Sequence, residues 1–217
     1  MTDYAAARVA MVDNQVRPAD VTSYPIIDAM LSVPREAYAP APLREVAYAG
    51  EHLALGGGRV TLDPRTFAKM LEASDVGPDD LVLDIGCGLG YSTAVLARLA
   101  AAVIAVESDE DMARAAAAAL TAHEVDNAEV IQGKLAAGAK DHAPYNVIFV
   151  EGGVEEIPQA LADQLRDGGR IVAIRMAGAF GRCEVHTKSA GKLTAWRAFD
   201  VGAPVLEGFE KAAAFEF

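Results

Sequence analysis

One stretch narrows the possible folds more than any other. Leu81–Ile85 reads as a buried strand, Gly86, Cys87, Gly88, Leu89 and Gly90 follow at once, and Tyr91 opens a helix-forming run over residues 91–99. Glycine at alternate positions suits a turn whose dihedrals exclude a β-carbon, and it lets a ligand come close to the backbone. The pattern continues beyond it. Short β-branched runs at residues 103–107, 128–131 and 147–151 alternate with helix formers at residues 109–123 and 157–165, which predicts a parallel sheet covered by helices on both faces. After Gly168 and Gly169 only strands are expected, at residues 170–175, 182–188 and 193–201, the last two pairing as an antiparallel hairpin around Ala190 and Gly191.

The amino-terminal part reads differently. Apolar residues recur at helical spacing over residues 5–16 and 25–33, and Pro34, Pro40 and Pro42 then predict an extended connector. Gly56, Gly57 and Gly58 predict a flexible turn, with Asp63 as the cap and Pro64 as the first residue of a helix to Ser74 that faces the core through Phe67, Met70 and Leu71. No linker separates a second unit, so the expectation is a single domain over residues 1–217, with a helical lead-in (1–60) and an α/β core (61–217).

Composition excludes several functions. A net charge of -12 without a basic cluster argues against nucleic acid as a partner. Charged residues interrupt the most hydrophobic region, so no membrane span is expected, and residues 1–10 lack the basic start and apolar run of a secretion signal. Cys87 and Cys183 are too few for a disulfide framework and read as buried free thiols, which suits a cytoplasmic location. His52, His123, His142 and His186 show no ligand spacing, so no metal is expected.

The glycine loop and Glu107, at the end of the next strand, together specify a nucleoside site, because an acid there can accept bonds from both ribose hydroxyls. Two cofactors compete for it. A dinucleotide fingerprint carries a further glycine where this chain has Tyr91, and Asp84 would repel a pyrophosphate. The same carboxylate suits an ammonium and a sulfonium, so S-adenosylmethionine is favoured over NAD.

With these pieces placed, the chain resembles the protein-L-isoaspartate O-methyltransferase family over nearly its whole length. Met11, Val12 and Gln15 look like its opening helix, and Val33, Pro34, Arg35 and Glu36 like its Val-Pro-Arg-Glu segment. Ala47, Tyr48, Leu53, Gly56 and Gly58 follow, then Ala143, Pro144 and Tyr145, Ile157 and Pro158, and Gln164, Leu165, Gly168 and Gly169. The resemblance implies a three-layer, doubly wound α/β fold: a mostly parallel seven-stranded, Rossmann-like class I methyltransferase sheet with a helical amino-terminal extension.

It also implies a site. Asp84, Gly86, Cys87, Gly88, Gly90 and Tyr91 fall at the methionine end of the cofactor, Glu107 and Ser108 at the ribose, and Gly133 and Lys134 at the adenine. Two departures stand out. Lys134 replaces an aspartate that would accept from the adenine amino group. At the substrate segment, usually Thr-Ile-Ser-Gln-Pro, this chain has Val60, Thr61, Leu62, Asp63 and Pro64, so the serine hydroxyl is gone. Thr61 and Asp63 remain as acceptor-side candidates, Asp63 also reading as a plain helix cap. The implied activity is methyl transfer to a carboxylate of isoaspartyl residues in damaged protein or peptide, or to a related small acceptor. A cofactor-binding protein without an acceptor site and an NAD-dependent oxidoreductase are the alternatives.

Overall fold

The computed structural model describes residues 2–211. Helix α1 (Tyr4–Met11) is capped by the Asp3 side chain and runs on through a π turn (Val12–Val16) and a 3-10 turn (Arg17–Ala19). Helix α2 (Tyr24–Ser32) follows. The connector differs from the expected extended chain, for it winds into two 3-10 helices, Arg35–Tyr38 and Ala41–Val46. Pro34 and Pro40 are the residues capping these turns and Pro42 lies in the first turn of the second, positions where a missing N–H breaks nothing and a fixed φ favours the turn. The glycines at 56–58 form a turn, as expected, and it joins the antiparallel strands β1 (Leu53–Gly56) and β2 (Arg59–Thr61).

Asp63 caps α3 (Pro64–Ser74), whose Phe67, Met70 and Leu71 are buried as the spacing predicts. The α/β units then come in order: β3 (Leu81–Ile85), α4 (Tyr91–Ala97), β4 (Ala102–Glu107), α5 (Glu110–Ala122), β5 (Ala128–Gln132), β6 (Tyr145–Val154), α6 (Gln159–Gln164) and β7 (Leu165–Ala177). The hairpin β8 (Phe180–Ser189) and β9 (Lys192–Asp200) completes the sheet. Seven strands lie in the order β5-β4-β3-β6-β7-β8-β9. The first five positions are parallel; β8 runs against them and β9 returns to their direction.

Alternate strand residues feed two cores. Val82, Val103, Val147, Phe149 and Val172 meet Phe67, Met70 and the lead-in residues Met11, Val16 and Met30 on one face. Leu83, Ile85, Ile104, Val106, Ile148 and Ile171 meet Leu161 of α6 on the other. Both faces are covered, so the inner strands are apolar almost throughout. Strand order reverses between β3 and β6, which opens a crevice at the carboxyl ends of these strands, where open α/β sheets bind ligands. Among the described residues, no helix is long and apolar enough to cross a membrane.

Candidate functional site

The glycine loop sits at the carboxyl end of β3. Gly86, Gly88 and Gly90 all have left-handed φ values, of 80°, 57° and 93°. The Gly86 N–H donates to the Val106 carbonyl (2.8 Å), tying the loop to β4, and the Gly90 N–H closes the turn on the Cys87 carbonyl (2.9 Å). Asp84 lies fully buried beneath. Its Oδ2 accepts from the Ser92 and Thr93 hydroxyls, both at 2.7 Å, while Oδ1 has no partner among the described residues. Burial pushes this carboxyl up to about 6, against the pull of the two hydroxyls.

Two residues expected in this site turn away from the crevice. Cys87 packs with Ala105 and Ala116, and burial pushes its thiol well above the ordinary range, leaving it inert. Tyr91 enters the core beside Phe67 (ring centroids 5.5 Å apart) and Tyr38 (6.2 Å), with the Arg35 guanidinium 4.7 Å above its ring. Their place in the glycine motif is explained by packing.

Glu107 ends β4 and is fully buried. Its carboxylate accepts from the N–H groups of Gly88 (2.8 Å), Ser108 (2.8 Å) and Asp109 (3.1 Å). It also holds a guanidinium the sequence reading overlooked: Arg59, at the start of β2, forms a fork onto it through Nη1 (2.6 Å) and Nη2 (2.9 Å). Nη2 also reaches the Gly86 carbonyl (2.9 Å), so Arg59 lies directly over the glycine loop. Position 59 adjoins the substrate segment, and an arginine beside three glycines was the signal available. The reversal that carries it to Glu107 is tertiary.

Two adjoining hollows flank this pair, sharing Ser108 and Glu207 in their walls. One, of about 520 Å³, includes Gln132, Gly133 and Lys134; the other, of about 500 Å³, includes Gly57, Arg59 and Met112. Gly133 donates its N–H to the Glu107 carbonyl (2.9 Å), which fixes the expected adenine-side residues next to the ribose-side ones. Lys134 is exposed. Glu207, from the segment after β9, enters both hollows and carries no sequence signal. A further hollow, of about 600 Å³ and lined by Tyr38, Ala97, His123 and Asn127, lies at the opposite end of the strands, away from the loop.

On the acceptor side, Leu62 is buried and Thr61 half-buried in β2. Arg35, itself buried, fastens this segment by donating to the carbonyls of Leu62 and Ala47, both at 2.7 Å. Asp63 faces away from the hollows beside Glu107: it caps α3 through the Thr66 N–H (2.9 Å) and pairs with His52 (3.2 Å). Burial would raise its carboxyl, but bonds from His52 and Thr66 outweigh that and hold it at about 2, too weak a base to take a proton at neutral pH. Glu151, in β6, is buried, and its Oε1 has no partner among the described residues; burial and the nearby Asp84 carboxyl push it well above the usual range. No cluster of metal-ligating side chains exists among the described residues.

A family model described as protein-L-isoaspartate(D-aspartate) O-methyltransferase matches residues 7–196 of the chain. A protein-L-isoaspartate O-methyltransferase of Koribacter versatilis is 35% identical over 193 residues, covering 89% of this chain and 87% of the relative. Protein-L-isoaspartate O-methyltransferase 1 of Rhodopseudomonas palustris is 40% identical over 171 residues, covering 79% and 70%. Among solved structures, a Plasmodium falciparum protein-L-isoaspartate O-methyltransferase in complex with S-adenosyl-L-homocysteine superposes with a TM-score of 0.80 at 19% identity, over 95% of this chain and 99% of that one. At that identity the likeness speaks for the fold alone.

Proposed function

Because the chain belongs to the protein-L-isoaspartate(D-aspartate) O-methyltransferase family, we propose that it transfers a methyl group from S-adenosylmethionine to the carboxylate of isoaspartyl residues in protein or peptide. The observation that carries the reading into this site is the buried Oδ1 of Asp84 beneath the glycine loop, an acid oxygen with no donor among the described residues, in a crevice made for close backbone approach. A cationic amino-acid end fits there, and a pyrophosphate does not. The family match removes the nicotinamide oxidoreductase alternative.

The bound cofactor would supply a sulfonium methyl open to in-line displacement. The chain's own residues then have three tasks. Asp84 would neutralise the ammonium, Glu107 would accept from the ribose hydroxyls, and the hollow beside Ser108 and Gly133 would take the adenine. Lys134 cannot accept from the adenine amino group, and we assign that role to Glu207, the acidic residue in the same wall. Glu207→Ala should weaken cofactor binding by about 1.5–3 kcal/mol in a calorimetric titration, the usual scale for a lost hydrogen bond to a charged group; unchanged affinity would reject the assignment.

No catalytic base is required, since an acceptor carboxylate of ordinary pKa, about 4, is already ionised at neutral pH. Positioning and water exclusion then carry the acceleration. Incubation with labelled S-adenosylmethionine and an isoaspartyl peptide should give a base-labile methyl ester. Cofactor binding without any ester would favour the alternative of a fold that has kept its cofactor and lost its acceptor, the reading that Leu62 raises.

A further inference from the structure

Arg59 occupies Glu107 in a way that leaves no room for a second set of donors. The carboxylate already takes two bonds from the guanidinium and three from the N–H groups of Gly88, Ser108 and Asp109. A carboxylate offers about four lone-pair sites and these five donors already oversubscribe them, so two ribose hydroxyls can join only by taking the two places that Arg59 holds. The three backbone donors are part of the loop and cannot leave without unmaking it.

Arg59 is equipped to move. It follows Gly56, Gly57 and Gly58, all at left-handed φ, where an added β-carbon would meet nothing within 4 Å. The β1–β2 ladder is irregular between Ala54 and Gly56, at the same turn. The Arg59 side chain is only 10% exposed, yet Nε has no partner among the described residues, so its pairing in this position is incomplete. A half-buried arginine released from its carboxylate gains from another anion, and a fork of N–H groups matches a carboxylate in two bonds at once.

The acceptor side lacks what such an anion would need. Leu62 offers no hydroxyl, Thr61 offers one that carries no charge, and neither Asp84 nor Glu151 can supply the positive charge that balances a carboxylate. Arg59 is the cation that touches the glycine loop from the substrate segment's own hairpin.

Building on the carboxylate-acceptor reading above, we propose that Arg59 is an exchangeable clamp. It rests on Glu107, is displaced when the cofactor ribose takes that carboxylate, and then holds the isoaspartyl carboxylate in place of the missing serine hydroxyl. Cofactor therefore binds before acceptor, and each strengthens the other.

Calorimetry tests this without turnover. S-adenosylhomocysteine should bind Arg59→Ala about tenfold more tightly than the wild type, because no guanidinium has to be displaced. An isoaspartyl peptide should bind the wild type about tenfold more tightly when S-adenosylhomocysteine is saturating, and Arg59→Ala should lose that coupling. Arg59→Lys, which keeps the charge and loses the fork, should fall between the two and guards against a folding defect in the alanine variant. Equal or weaker S-adenosylhomocysteine binding by Arg59→Ala, or peptide affinity indifferent to it in the wild type, overturns the clamp. A wild type that shows both couplings but esterifies no isoaspartyl peptide overturns the proposed function while supporting the exchange.

Discussion

At the scale of single residues, Asp84 joins stability to binding. Its carboxyl has an ordinary value of 3.8 and is pushed up to about 6 by burial, so the folded state holds the proton more tightly than the unfolded chain. That contribution is complete below pH 3.8 and is lost as pH rises through about 6, where a buried charge starts to oppose folding. Asp84→Asn keeps an oxygen for the Ser92 and Thr93 hydroxyls and removes the titration. Its denaturant stability should fall less than the wild type's between pH 4 and pH 7, while affinity for S-adenosylmethionine should drop by about 2 kcal/mol, the scale of a charge-assisted bond. An unchanged pH profile would show that Asp84 is not the titrating group.

At the scale of elements, two joints decide whether the site is assembled. The first is the start of α3, where Asp63 caps the helix and pairs with His52. Asp63→Ala should cost about 1 kcal/mol, the usual value for a lost cap, with more where both partners are charged. The signs differ for the two. The Asp63 carboxyl sits below its ordinary 3.8, so its contribution is present above that value and disappears as pH falls through about 2. His52 is raised above 6.5, chiefly by its bond to Asp63, so its contribution is present below 6.5 and disappears as pH rises through the folded value. Unfolding measured across pH should therefore show the largest deficit for Asp63→Ala between about pH 4 and pH 6.5, and a flat deficit would mean that only the cap matters.

The second joint is Gly90, where α4 begins over α5. Its φ of 93° disfavours any side chain, and an added β-carbon would lie 3.2 Å from the Ala116 Cβ and 3.4 Å from its Cα. This contact accounts for a small residue at Ala116, on the inward face that α5 shares among Ala113, Ala116 and the larger Leu120. Gly90→Ala should destabilise by about 1–2 kcal/mol from the left-handed backbone alone and lower cofactor affinity by shifting the loop. A melting temperature equal to the wild type's would mean the loop tolerates the change.

At the scale of the whole molecule, the lead-in and the sheet share one core. Met11, Val16 and Met30 are buried against the same cluster as Phe67, Phe149 and Val172. The expected outcome is one cooperative unfolding transition, with far-UV circular dichroism and the fluorescence of Trp196, the single tryptophan, changing together. Residues 61–217 alone should fail to fold, because the face of α3 and the sheet would be left bare. Two separated transitions would show independent units.

The alternation of strand, glycine loop and helix was legible from residues 81–99 onward because it depends on local periodicity and on dihedrals open only to glycine. Sequence alone therefore determined the doubly wound sheet, the cap at Asp63 and the meeting of Asp84 and Glu107 at neighbouring strand ends. Other features depend on contacts between distant segments. Tyr91 belongs to the aromatic core because Phe67 and Arg35 come to it from elsewhere, and the prolines at 34–42 support 3-10 turns because Arg35 is anchored to Ala47 and Leu62. Tertiary structure alone decided that Arg59 folds back 48 positions in sequence to seize Glu107, since a charge finds its partner through the path of the whole chain and leaves no period behind in its sequence.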